Sequence, residues 1–76
     1  MNKIEQEVKE KLVDRLAIDR IELTDTLEGL GADSLASVEI IMSLEEKYKI
    51  KISEDVFADI HTVQDIIEYI TKETKS

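Results

Sequence analysis

Apolar residues near the start of the chain repeat at helical spacing. The positions in question recur every four residues, with charged side chains between them, and are Ile4, Val8, Leu12 and Leu16. This spacing places them on one side of an amphipathic helix, because a helix turns once in about 3.6 residues. We therefore predict a first helix over about residues 3–16.

The following segment, residues 17–33, loses this period. It contains both glycines of the chain, Gly29 and Gly31, together with Asp and Thr residues of the kind that form turns and caps. Scattered apolar residues within it could hold a loop against a core. Because an unstructured connection of this length is uncommon in a compact domain and usually has a function, we predict a long functional loop.

Helical spacing returns over residues 34–49, with Asp33 in position to cap the helix. The apolar residues of this second helix fall on two sides. The side we assign to the core consists of Val38, Ile41, Leu44 and Tyr48. The other side combines Leu35, Glu39, Met42 and Glu46. Exposed apolar residues ringed by carboxylates suit a docking surface, although single exposed apolar residues also occur on ordinary protein surfaces.

Two further helices follow from capping residues. Ser53 can cap a brief helix over about residues 54–60, and Thr62 can cap a last helix over about residues 63–73. Asp65 stands three positions after Thr62, which approximates a capping box.

The predicted fold is all-α: a four-helix bundle with three longer helices, one short helix and a long loop between helices I and II. We expect one domain over residues 1–76. The alternation of apolar residues at 48–52 could indicate a strand, but a single isolated strand would have no partner. No apolar run approaches the roughly 18 residues of a membrane span. We expect a cytoplasmic monomer without stable membrane insertion.

Composition excludes several classes of site. The chain has 18 acidic against 10 basic residues, for a net charge of −8, which disfavours binding to the phosphates of nucleic acid. The acidic surface favours partners with basic patches, or serves only solubility. Without Cys and with a single His, the usual zinc sites and disulfides are excluded. Because the acidic residues also lack calcium-loop spacing, we predict no metal site.

A catalytic serine would need a general base beside it, usually a histidine. His61, the only histidine, lies in a polar turn before the last predicted helix. We expect it to be an exposed loop residue, and therefore predict that the protein is not an enzyme.

The segment Leu30-Gly31-Ala32-Asp33-Ser34-Leu35 opens the second predicted helix. It resembles the phosphopantetheine attachment motif of acyl carrier proteins, whose centre is Asp-Ser-Leu preceded by Gly. The likeness extends over essentially the whole chain, through Val38-Glu39, Leu44-Glu45-Glu46 and the segment 60–65. The chemistry agrees, because a phosphodiester on Ser34 would lie at a helix N-terminus, where unpaired N–H groups favour an anion.

The resemblance implies that a phosphopantetheinyl transferase attaches 4′-phosphopantetheine to Ser34, beside Asp33 and Leu35 in the cofactor-binding motif. The arm would carry acyl intermediates as thioesters among fatty acid synthesis enzymes and acyltransferases with basic patches. Carried over by position, the partner contacts would be Leu35, Glu39, Met42, Glu45 and Glu46. The acyl chain would be lined by Leu27, Leu30, Val38, Ile41, Leu44, Ile52, Phe57, Ile60 and Ile67.

Departures from the family pattern leave the pathway open. Ala36 replaces a common acidic residue, three lysines follow at positions 47, 49 and 51, and Ser53 replaces a frequent proline. A specialised carrier for polyketide, lipid A or aminoacyl chemistry is therefore an alternative. An unmodified helical interaction module is a second alternative, and a small hydrolase is a third.

Overall fold

The amphipathic segments form helices close to the predicted positions. The computed structural model describes residues 3–74. Its helices are α1 (Lys3–Leu16), α2 (Ser34–Tyr48), α3 (Glu54–Asp59) and α4 (Val63–Thr74). The all-α prediction is confirmed, with α2 and α3 each ending one residue early and α4 ending one residue late. Both α1 and α2 end where the next residue adopts left-handed backbone, at Ala17 (φ 54°) and Lys49 (φ 56°).

The predicted caps of α3 and α4 are confirmed. Ser53 Oγ accepts a hydrogen bond from the N–H of Val56 at 3.3 Å. At α4 the Asp65 N–H donates to Thr62 Oγ1 at 3.1 Å, and the Thr62 N–H donates to Asp65 Oδ2 at 3.1 Å. This reciprocal pair satisfies N–H groups that no preceding helical turn can reach.

The hydrophobic core lies among α1, α2 and α4. Its buried helical residues are Val8, Leu12, Ile40, Ile41, Leu44, Val63, Ile66, Ile67 and Ile70. Leu27, Ala32 and Ile60 from the connections complete it. By contrast, α3 contributes no fully buried side chain, so it covers the core rather than forming it.

The prediction that Val38 faces the core is wrong. Val38 is 41% exposed, whereas Ile40 is only 1% exposed. The buried positions of α2 are Ser37, Ile40, Ile41 and Leu44. Ile41 shares a helix face with residues three and four positions before it, so helical period alone cannot decide between Val38 and Ser37. Packing against neighbouring helices rotates α2 toward Ser37.

The long loop is tied to the turn before α4. Backbone hydrogen bonds join Leu27 N–H to His61 O (3.1 Å), Val63 N–H to Asp25 O (3.0 Å) and Gln64 N–H to Leu23 O (3.0 Å). An isolated antiparallel bridge pairs Thr26 with Thr62. These bonds hold the loop in place just before it leads into α2.

Within residues 3–74, no helix is both long enough and apolar enough to cross a membrane.

Candidate functional site

Ser34 is the first residue of α2 and is exposed. The preceding Asp33 caps the helix as predicted, with its Oδ1 accepting a hydrogen bond from the Ala36 N–H at 2.8 Å. The N–H groups of Ser34 and Leu35 lie ahead of any helical carbonyl that could accept them. Together with the helix dipole, they make the surroundings of Ser34 favourable for an anion.

A tight turn at Gly31 precedes the start of α2. Gly31 has φ +96°, a backbone conformation that residues other than glycine rarely adopt. Apart from Gly31 and its two chain neighbours, no heavy atom lies within 4 Å of where a Cβ would be, so the backbone angle rather than lack of space favours glycine. The N–H of Ala32 then donates to Leu27 O at 3.0 Å. Ala32 is buried, whereas the following Asp33 and Ser34 are exposed.

Ser34 borders an open cleft of about 570 Å³ between the long loop, the start of α2 and the region of α3. Its larger apolar walls are Leu27, Val38, Phe57 and Ile60. The remaining lining residues are Thr26, Glu28, Ala32, Asp33, Ser37, Ala58 and His61.

The cleft contains only part of the predicted acyl lining. Leu27, Val38, Phe57 and Ile60 line it together. Among the other predicted residues, Ile41, Leu44 and Ile67 are buried in the core, and Leu30 and Ile52 are partly buried against it. None of these five lines the cleft, so their contact with an acyl chain stays a prediction. Ser37 was not predicted as part of this lining. It could have been, because a residue three positions after Ser34 lies on the same side of the helix.

One side of α2 presents apolar and acidic residues to solvent. We define the α2 stripe as Leu35, Val38, Glu39, Met42 and Glu46. Leu35 is 67% exposed and Met42 is 60% exposed. Glu39 and Glu46 are exposed as well. The exposure that the docking prediction requires is therefore present, and Val38 joins the stripe as an unpredicted member.

Glu45 differs from the other two glutamates predicted to contact partners. It is half-buried, and its Oε2 accepts a hydrogen bond from the N–H of Ile52 at 2.6 Å. The carboxylate thus holds the chain after α2 against the helix. That Glu45 contacts partners stays a prediction, and its carboxylate already has a partner within the fold because the turn at Lys49 brings the Ile52 N–H back to it.

Glu39 also has a partner within the fold. Arg15, in the last turn of α1, forms an ion pair with Glu39 of the α2 stripe. The two side chains are 45% and 46% exposed. Because these residues are 24 positions apart, only the packing of α1 beside α2 brings them together.

A second link between α1 and α2 lies further along both helices. The Tyr48 hydroxyl donates a hydrogen bond to Glu7. That bond lowers the pKa of the Glu7 carboxyl, while burial and the bond together raise the pKa of Tyr48. This link orients α2 without touching the cleft.

His61 is exposed, as predicted, and borders the cleft. Its backbone N–H donates to Asp65 Oδ2 at 3.0 Å, and this bond, with that from Thr62, lowers the pKa of Asp65. Within residues 3–74, the His61 and Ser34 side chains form no hydrogen bond with each other. The described part of the chain also holds no group of three or more His, Asp or Glu able to bind a metal.

The family model for the phosphopantetheine attachment site matches residues 6–70. The chain belongs to this family. Its members are carriers rather than enzymes, and the domain is the place of covalent 4′-phosphopantetheine attachment. Among solved structures, the acyl carrier protein from Thermotoga maritima is 19% identical, with 97% of this chain and 94% of that chain covered and a TM-score of 0.83. That likeness confirms the carrier-type helical fold.

The residues around Ser34 fit such a group. A transferase requires a hydroxyl it can reach, and Ser34 is exposed. The negative charge of a phosphodiester is favoured by N–H donors and positive potential, which the start of α2 supplies. A long arm requires space beside the attachment point, which the adjoining cleft provides.

Proposed function

We propose that this carrier holds its 4′-phosphopantetheine on Ser34 Oγ and shuttles acyl intermediates among fatty acid synthesis enzymes. The single observation that carries the proposal is the placement of Ser34. The serine of the attachment motif is exposed at the N-terminus of α2 and borders an open cleft.

Each residue at the start of α2 has a separate role in this proposal. Ser34 provides the attachment oxygen, and the N–H groups of Ser34 and Leu35 favour the phosphodiester charge. Asp33 occupies the next N–H group, that of Ala36, and so keeps the start of the helix ordered. A direct contact of Asp33 or Leu35 with the cofactor is part of the proposal.

When bound, the arm supplies a thiol that holds an acyl group as a thioester activated for transfer. The cleft residues Leu27, Val38, Phe57 and Ile60 offer apolar surface beside Ser34. Burial of apolar surface stabilises contact with a hydrocarbon chain by roughly 25 cal/mol per Å². The cleft can therefore shelter the first part of an acyl chain without the core being opened.

The partners in this proposal are a phosphopantetheinyl transferase, fatty acid synthesis enzymes and acyltransferases with basic patches. They would dock on the α2 stripe, where Leu35 and Met42 offer apolar contact and Glu39 and Glu46 offer charge. Exposed ion pairs are each worth roughly 0 to 1 kcal/mol. Several such pairs speed encounter and still permit fast release, which a shuttle needs.

The experiment that tests attachment uses coenzyme A and a broad-specificity phosphopantetheinyl transferase. We expect the wild-type protein to gain one arm by mass spectrometry and Ser34→Ala to gain none. Ser43→Ala is the matched control, because Ser43 is another exposed serine of α2. An unmodified wild type, or equal modification of Ser34→Ala, would contradict the proposal.

One observation favours a specialised carrier as the second candidate. Lys47, Lys49 and Lys51 are all exposed, so the end of α2 beside the acidic stripe is basic. This charge pattern would suit a different set of partners. The acyl group found on protein isolated from its native cell distinguishes the pathways: a fatty acyl chain supports the first candidate, and an aminoacyl or hydroxyacyl group supports the second.

The alternative of an unmodified helical interaction module leads to a different expectation. It requires that native protein carry no modification and that partner binding be unaffected by Ser34→Ala.

A further inference from the structure

The pairing of Arg15 with Glu39 affects the middle of the α2 stripe. Glu39 follows Leu35 by four positions and precedes Met42 by three, so it lies between the two most exposed apolar residues of the helix. A cation approaching this surface meets a carboxylate that already has an arginine beside it.

The three predicted acidic contacts therefore differ in availability. Glu45 is bonded to the Ile52 N–H, and Glu39 is paired with Arg15. Within residues 3–74, Glu46 takes part in no ion pair. A partner can use Glu46 directly, but it must compete with Arg15 for Glu39.

We propose that Arg15 is a specificity-determining residue that competes with the cations of basic partners for Glu39. The proposal rests on the proposed function, because it takes the α2 stripe to be the docking surface. Each partner cation that reaches Glu39 must first displace the guanidinium of Arg15, so the free energy of the Arg15–Glu39 pair is lost on docking. Arg15 thereby weakens docking of purely basic partners.

The size of the effect follows from the exposure of the pair. An ion pair in which both side chains are nearly half exposed is worth little, so a partner can break it. Removing Arg15 should consequently strengthen docking by a factor of about two to five, which corresponds to one exposed ion pair.

The chain offers a matched control. Arg15 and Arg20 are its only arginines. Arg20 pairs with Glu22 in the long loop, at 3.4 Å with side chains 86% and 62% exposed. Arg15→Gln and Arg20→Gln change the net charge equally, so a difference between them reports the local effect at Glu39. Glutamine is also a good helix former, so α1 should be retained.

The experiment measures kcat/KM for loading of the full chain by a broad-specificity phosphopantetheinyl transferase with coenzyme A at low ionic strength. We expect Arg15→Gln to raise kcat/KM about two- to fivefold over wild type and Arg20→Gln to leave it nearly unchanged. In a Glu39→Gln background, the gain from Arg15→Gln should disappear, because there is no carboxylate left to release.

Three results would overturn the inference while leaving the carrier proposal intact: equal effects of Arg15→Gln and Arg20→Gln, a decrease with Arg15→Gln, or a gain that persists in the Glu39→Gln background. If wild-type protein is not loaded on Ser34 at all, the carrier proposal fails first, and the inference fails with it. The mass of the wild-type product distinguishes these two cases.

Discussion

Helices α2 and α4 are built alike but present different outer surfaces. Each begins with a side-chain cap, and each buries four residues: Ser37, Ile40, Ile41 and Leu44 in α2, and Val63, Ile66, Ile67 and Ile70 in α4. On its outer side α2 also exposes three large apolar side chains, Leu35, Val38 and Met42. In the described part of α4, no large apolar side chain is exposed to that extent.

This difference separates a helix that only stabilises the fold from one that also presents a surface. The apolar residues of α4 are explained by their burial in the core. Tyr69 of the same helix donates a hydrogen bond from its hydroxyl to Lys51 O at 2.8 Å. The exposed apolar residues of α2 bury little on folding, so they contribute little to stability. Their presence beside Glu39 and Glu46 is typical of a docking surface.

The largest effect on the free energy of unfolding should be the difference between substitutions on the two sides of α2. Leu44→Ala removes a side chain that is 0% exposed, so we expect it to lower the free energy of unfolding by about 2–5 kcal/mol. Leu35→Ala removes the same atoms from a side chain that is 67% exposed, and should change the free energy of unfolding by no more than about 0.5 kcal/mol. Urea unfolding measures both. Equal losses would show that Leu35 is part of the core after all.

The caps of the two helices should differ in function rather than in stability. Asp33→Ala and Asp65→Ala should each lower the free energy of unfolding by about 0.5–1 kcal/mol, the lower part of the range for capping residues, because Asp33 is exposed and Asp65 is only half-buried. Only Asp33→Ala should also slow loading of Ser34, because it loosens the start of α2. Urea unfolding and transferase kinetics on the same variants test this. A loading defect in Asp65→Ala would mean that the α4 cap also shapes the site.

The cap of α4 should also depend on pH. Hydrogen bonds from the His61 and Thr62 N–H groups lower the pKa of Asp65 in the folded state. Its contribution to stability is therefore complete above the unfolded pKa of about 4 and is lost as pH falls through the lower folded pKa. The difference between wild type and Asp65→Ala in urea unfolding should shrink from pH 7 to pH 2. Asp19→Ala, at an exposed loop position, is the control and should show no comparable difference at either pH.

The smallest effect should come from added salt, which should stabilise the fold but weaken the docking of partners. With a net charge of −8, the folded chain repels itself, so added salt should raise the Tm by a few degrees. The same screening should weaken docking of basic partners on the α2 stripe. Thermal unfolding and partner affinity across a salt series check the pair of trends. A Tm indifferent to ionic strength would mean that the repulsion is small.

Helix positions and caps could be predicted because they depend on residues close together in the chain. The period of Ile4, Val8 and Leu12 predicted α1, and Thr62 with Asp65 predicted the start of α4 and its reciprocal hydrogen bonds. The motif around Ser34 likewise placed the candidate site at a helix start. The contacts that decide these features span at most four positions.

Other features required the tertiary structure. Sequence period could not choose between Val38 and Ser37 for the core, and it gave no sign that Glu45 bonds to the Ile52 N–H or that Arg15 pairs with Glu39. The cleft beside Ser34 likewise depends on how the long loop is tied to the turn before α4.

The sequence by itself determined where the helices begin and, to within one residue, where they end, which serine opens α2, and the acidic character of the chain. The tertiary structure decided how far α2 is rotated, which of its glutamates remain available, and which apolar residues line the cleft. The physical reason is that capping and helical period act within one or two turns. The rotation and approach of a helix follow from the packing of the whole core, to which every buried side chain contributes.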